Sequence, residues 1–166
     1  MSARSRSASW SSAVRPTGRK VADVAGEWMF TARQTSISGG ECVGALLQST
    51  IGTVDSGTLS ISQTGNVLSA TSRSSSTGVF CTYQGTAGMS SIALSRTDSD
   101  AAVFTQIRGA HGALLDLRLQ AHSVNLTVNG RSGSGTSTSI WNVLISGSST
   151  KVGILISTNS FRAIRR

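Results

Sequence analysis

Few side chains in this 166-residue chain could carry acid–base or nucleophilic chemistry. The two histidines are His111, in the turn Gly109-Ala-His-Gly112, and His122, which continues the alternating face of Val124, Leu126 and Val128. Asp116 could orient either ring and serines abound, so the residue types of a Ser/His/Asp arrangement are present. No serine stands in the glycine-flanked elbow that presents such a nucleophile. The two histidines therefore read as a surface turn residue and a half-buried one, and no enzyme is expected. Asp98-Ser-Asp100 offers two carboxylates without the further acids or the glycine of a calcium loop, and reads as a solvated turn. No metal site and no cofactor are expected. Asn125-Leu-Thr127 fits a glycosylation sequon, which matters only in a eukaryotic secretory pathway.

Cys42 and Cys81 are the only cysteines. Joined, they would close a loop of about 39 residues, a constraint that chain entropy makes worth roughly 4 kcal/mol. Left as thiols, they give an inert Cys81 alternating with Val79 and Tyr83. Neither belongs to a Cys-x-x-Cys motif. The Ser/Thr/Gly-rich composition suits a secreted or periplasmic protein, and on that ground a disulfide is the expectation. Against it, the first twenty residues lack the apolar run of a secretory signal. They are Arg- and Ser-rich without an acid, as in an organellar transit peptide or a plain leader, so the compartment stays open.

The net charge of +8 is confined to the ends. Arg4, Arg6, Arg15, Arg19 and Lys20 lie in the leader and Arg162, Arg165 and Arg166 at the other end, while residues 21–160 balance their charges. A neutral body offers no continuous positive face for phosphates, so specific nucleic-acid binding is not expected. No segment reaches the ~20 apolar residues that span a bilayer as a helix. The sequence leaves the oligomeric state open.

What must position these residues is a series of short alternating strands. Trp28, Phe30 and Ala32 share one face of the first, with Met29, Thr31 and Arg33 opposite. Residues 41–52 carry Val43, Leu46, Leu47 and Thr50/Ile51 at helical spacing and predict a short helix in the first connection. The Gly65-Asn66 pair predicts a tight hairpin in which Thr64 opposes Val67, Gln63 opposes Leu68, Ile61 opposes Ala70 and Leu59 opposes Ser72. That register gathers the apolar residues of both strands on one face; a one-residue slip would scatter them. Leu115, Leu117 and Leu119 share a face, and Val124, Leu126 and Val128 form the cleanest period-two run. The expected organisation is a basic leader over 1–23, a β-domain over 24–161 and a basic tail over 162–166.

The fold expected is all-β: an up-and-down antiparallel barrel of about 8–10 short strands, with a β-sandwich as the alternative. Connections are mostly too short for Greek-key crossovers, and closure removes the two exposed edges that an open meander would leave.

Gly26-Glu27-Trp28 at the head of the first strand, a long first connection and the meander after it resemble the calycin barrels, the group of lipocalins, fatty-acid-binding proteins and avidins. The resemblance implies a small-molecule site inside the barrel and a late basic residue, Arg162, over Trp28. The chain departs from the group in lacking a lipocalin-type Thr-Asp-Tyr segment. The expected function is a non-enzymatic barrel holding a small, mainly apolar ligand. Its candidate interior residues are Trp28, Phe30, Leu59, Ile61, Leu68, Tyr83, Leu117, Leu126 and Ile154, with 41–52 as a lid. The alternative is a structural or interaction module of the cell envelope with a core filled by side chains.

Overall fold

A computed structural model describes residues 20–39, 47–98, 103–109 and 112–166. Their strands are β1 (Gly26–Gly39), β2 (Val54–Thr64), β3 (Val67–Ser74), β4 (Phe80–Ala87), β5 (Ser91–Arg96), β6 (Val103–Arg108), β7 (Leu114–Asn129), β8 (Ser132–Ile145) and β9 (Lys151–Arg165). All neighbours are antiparallel, in the order β5-β4-β3-β2-β1-β9-β8-β7-β6, and an added β5–β7 pairing closes the ring. The closed barrel has eight positions, because β5 and β6 share one edge of β7. β5 pairs with Ser123–Thr127 and β6 with the stretch from Leu114 to Arg118.

The β2–β3 hairpin has the predicted register throughout, from Thr64↔Val67 to Leu59↔Ser72. Gly65 has φ +63°, the positive value that a primed turn demands at its first central position. Its inward residues Leu59, Ile61, Leu68 and Ala70 are all buried.

β7 resolves a conflict of phase in the sequence. Leu115, Leu117 and Leu119 are odd-numbered, whereas His122, Val124, Leu126 and Val128 are even-numbered, so they cannot share a face of one regular strand. A bulge between Leu119 and Ala121 inserts one extra residue and turns both runs inward. A second bulge, between Gln34 and Ser36 of β1, brings Ile37 against the same wall.

Two apolar clusters fill the interior. The larger, at the end where β1 begins and β9 finishes, holds Trp28, Phe30, Leu59, Ile61, Leu68, Tyr83, Leu126 and Phe161 among others. The smaller, towards the other end, is built on Leu115, Leu117, Val143 and Leu155, with Ile37, Leu47, Ile107 and Trp141 against it. The segment before β1 crosses the first end and closes it. Val24 is fully buried there, accepts from Trp28 Nε1 at 2.9 Å through its carbonyl, and donates to Gln63 Oε1 at 2.8 Å.

Four expectations need correction. The helix over 41–52 reduces, among the described residues, to one 3₁₀ turn at Gln48–Thr50; residues 41–46 lie outside the described set. Residues 162–165 are not a tail but the last part of β9, since all four pair with β1 and 162–164 pair with β8 as well. Ile154 faces outward and is 43% exposed, because β9 takes its phase from Leu155, Phe161 and Ala163. Arg162 is likewise exposed; the late arginine at the Trp28 end is Arg165, which pairs with Trp28 in register and donates to the Asp23 carbonyl at 3.1 Å.

Candidate functional site

Between the two apolar clusters the barrel wall turns polar. Each of its eight strand positions contributes to this inward belt. Gln34 comes from β1, Asp55 from β2, Ser72 and Ser74 from β3 and Tyr83 from β4. Arg96 comes from β5, His122 from β7, Ser137 from β8, and Ser157 and Asn159 from β9. The belt surrounds a cavity of about 390 Å³ whose apolar lining includes Phe30, Leu59, Leu119, Val124, Trp141 and Phe161. A second cavity of about 320 Å³ lies beyond it, among Ile37, Leu47, Phe104, Ile107, Leu117 and Leu155. The two linings share Gln34, Thr53, Phe104, Trp141 and Ser157, so they are adjoining lobes with a polar floor and an apolar upper part.

Strand pairing fixes the belt's geometry. Tyr83 is the partner of Arg96 across β4–β5, and His122 the partner of Ser139 across β7–β8. His122 Nδ1 lies 2.7 Å from Ser139 Oγ, and its ring meets Tyr83 edge-on with centroids 5.9 Å apart. Burial pushes the His122 pKa down to about 4, helped by the positive charge of Arg96 and opposed by Asp98, so the ring is neutral at pH 7. Burial likewise pushes the Tyr83 phenol up to about 12, against a hydrogen bond from Ser72. Asn159 Nδ2 donates to Ser137 Oγ at 3.1 Å, and Trp141 Nε1 to Ser157 Oγ at 3.3 Å.

The charged members are already engaged. Arg96 is ion-paired with Asp98, whose other oxygen accepts from the Thr82 N–H at 2.8 Å. Asp55 Oδ1 accepts from Ser56 N–H and from the hydroxyls of Ser74 and Ser76. Asp116, the acid that could have oriented a histidine, is buried away from His122 in another role. It caps the Gln106 N–H at 3.0 Å and accepts from Ser146 Oγ at 2.9 Å, and these bonds hold its carboxyl below the usual range. Gln106 has φ +56°, the one positive value outside glycine among the described residues, and Asp116 stabilises that irregular stretch of β6.

Of the sequence-derived interior candidates, Phe30, Leu59 and Tyr83 line the first cavity and Leu117 the second. Trp28, Ile61, Leu68 and Leu126 are buried but belong to the packed end and line neither. Sequence reasoning missed the polar belt, for which His122 continuing the Val124 face was the one available signal. Cys81 lines the first cavity as a free, half-buried thiol; its expected partner Cys42 lies outside the described residues, as do His111 and Asp100. Among the described residues no cluster of three metal-ligating side chains occurs, and no helix is long and apolar enough to cross a membrane. Compared with protein-family models, curated proteins and solved structures, the chain matches none.

Proposed function

We propose that this protein is a non-enzymatic carrier or sensor of a small amphipathic molecule, bound inside the barrel. The observation that carries the proposal is the two-lobed interior. Its volume falls in the range of small-molecule sites, and it joins an extensive apolar lining to a belt of convergent polar groups. A core selected only for stability would gain by filling this space, since voids cost packing energy and buried polar groups cost desolvation. The lobes also suggest an orientation, with the polar head on the belt and the apolar body against Trp141, Phe104 and Leu117. A native mass spectrum of the purified protein tests this: a copurifying small molecule, or one-to-one uptake of an added lipophilic probe, supports it. Protein that takes up no probe from any chemical class would end it.

A second reading, an interaction module of the cell envelope, draws on the outer surface. Ile154 and Ile156 of β9 are exposed, and Ile140, the partner of Ile156 on β8, is half-buried beside them. On that reading substituting Ile154 and Ile156 with serine abolishes association with a partner, while probe uptake is absent in every variant.

A further inference from the structure

The charges around the cavity point to the class of head group it takes. We infer that the cavity prefers an uncharged, hydrogen-bonding head group, such as an alcohol or an amide, to the corresponding carboxylate. The inference rests on the ligand-binding reading above and adds the chemical class.

Among the described residues only three ionisable groups of formal or potential charge line the two lobes besides Tyr83 and Cys81: Arg96, His122 and Asp55. Arg96 is the one cation, and its side chain, 10% exposed, is compensated by the ion pair with Asp98. His122 adds no charge at neutral pH, because burial disfavours its protonated form. Asp55 adds a negative charge, held by one backbone N–H and two serine hydroxyls. A carboxylate entering this space would lose its water, meet another anion, and find the nearby guanidinium already paired. Desolvated ions without a dedicated counter-charge are costly. A neutral head escapes that penalty. The belt also suits it: the hydroxyls of Ser72, Ser137 and Ser157 can each donate or accept, and the Asn159 amide offers both functions. An alcohol or amide can therefore be satisfied in the ways that water satisfied it.

Displacement of the neutral fluorophore N-phenyl-1-naphthylamine from the full chain at pH 7.5 by 1-decanol, decanamide and decanoate tests the inference. These share one chain length and differ in the head. The two neutral compounds are expected to compete at least about ten-fold better than decanoate, the factor that ~1.4 kcal/mol of head-group desolvation produces. Decanoate competing as well as decanol overturns the inference while leaving the ligand-binding reading intact. Failure of the fluorophore and all three compounds to bind overturns both. The variant Asp98→Asn, which removes the Asp98 counter-charge from Arg96, is expected to shift the decanoate-to-decanol affinity ratio about ten-fold towards decanoate. A ratio unchanged in a folded D98N protein overturns the electrostatic basis.

Discussion

His122 Nδ1 and Ser139 Oγ face each other at 2.7 Å inside the barrel, on strands paired at that very position. The contact keeps a neutral imidazole in place where burial opposes its charging, and acid sensitivity follows. Folding favours the neutral ring, so its contribution is complete above the ordinary pKa of 6.5 and is lost as pH falls from there towards 4. Across that window unfolding takes up one proton, a loss of about 3 kcal/mol. Urea unfolding at pH 7 and pH 4.5 should show it, and His122→Gln should flatten that part of the profile. The Asp116 contribution has the same sign but lies lower, below its ordinary 3.8, so the two separate.

The closed end makes a different prediction. Gln63 uses both ends of its amide there, accepting from the Val24 N–H and donating to the Ala22 and Gly65 carbonyls. Gln63→Ala should cost about 1–3 kcal/mol by stranding those groups. It should also accelerate hydrogen exchange at Val24 well before the rest of the barrel opens. Trp28→Ala removes the largest fully buried side chain among the described residues and should cost about 3–5 kcal/mol. Equal protection of Val24 in Q63A and wild type would show that the segment needs no such clasp.

Gly57 and Gly133 are both inward-facing glycines, yet they should respond oppositely to alanine. A Cβ on Gly57 would stand 2.9 Å from the Phe30 ring and from the Arg73 carbonyl carbon, both parts of the wall. Gly57→Ala should therefore destabilise by about 2–3 kcal/mol. At Gly133 the nearest atom would be Leu126 Cδ1 at 3.5 Å, an ordinary contact, and φ there is not positive. Gly133→Ala should be neutral, or stabilising by about 0.5 kcal/mol through the unfolded chain. Thermal melts of the two variants decide it.

How far these features could be read from the sequence depended on whether they were local. The β2–β3 register was legible because turn chemistry and alternation agree around Gly65 and Asn66. In β9, Ile154-Leu155-Ile156 is an unbroken apolar run, so nothing local said which residue points inward, and distant pairing decided against Ile154. The two leucine and valine runs of β7 were legible as faces but not as one strand, since a bulge leaves no residue-type mark at Gln120. The belt was the least legible feature. Ser137 and Ser157 look like any outward serine until closure brings eight strands around one space. That Ser137 is buried and Ser157 half-buried is a property of the ring, not of their neighbours in the chain.

Cys81 tests whether that space is accessible. Its thiol is half-buried against the cavity and free among the described residues, so denatured, unreduced protein should yield a titratable thiol at Cys81. None would show that Cys42 and Cys81 are bridged after all. In folded protein, a bound ligand should slow alkylation of Cys81 several-fold, whereas a filled core would give slow labelling with or without ligand.

Trp141 should report occupancy directly. Its indole lines both lobes, packs against Phe104 with centroids 5.3 Å apart, and donates to Ser157 Oγ. A ligand whose head lies on the belt and whose body runs upward must touch this ring and displace water from it. Trp28, 1% exposed and outside both linings, should not respond. Titration with 1-decanol should accordingly shift tryptophan emission to the blue in wild type, and Trp141→Phe should abolish the shift while decanol still displaces the fluorophore. Replacing the indole also removes the Ser157 hydrogen bond and some contact area, so W141F should bind about three- to ten-fold more weakly. If the shift survives in W141F, the ligand lies away from the upper lobe, and the head-down orientation is wrong even though the barrel binds.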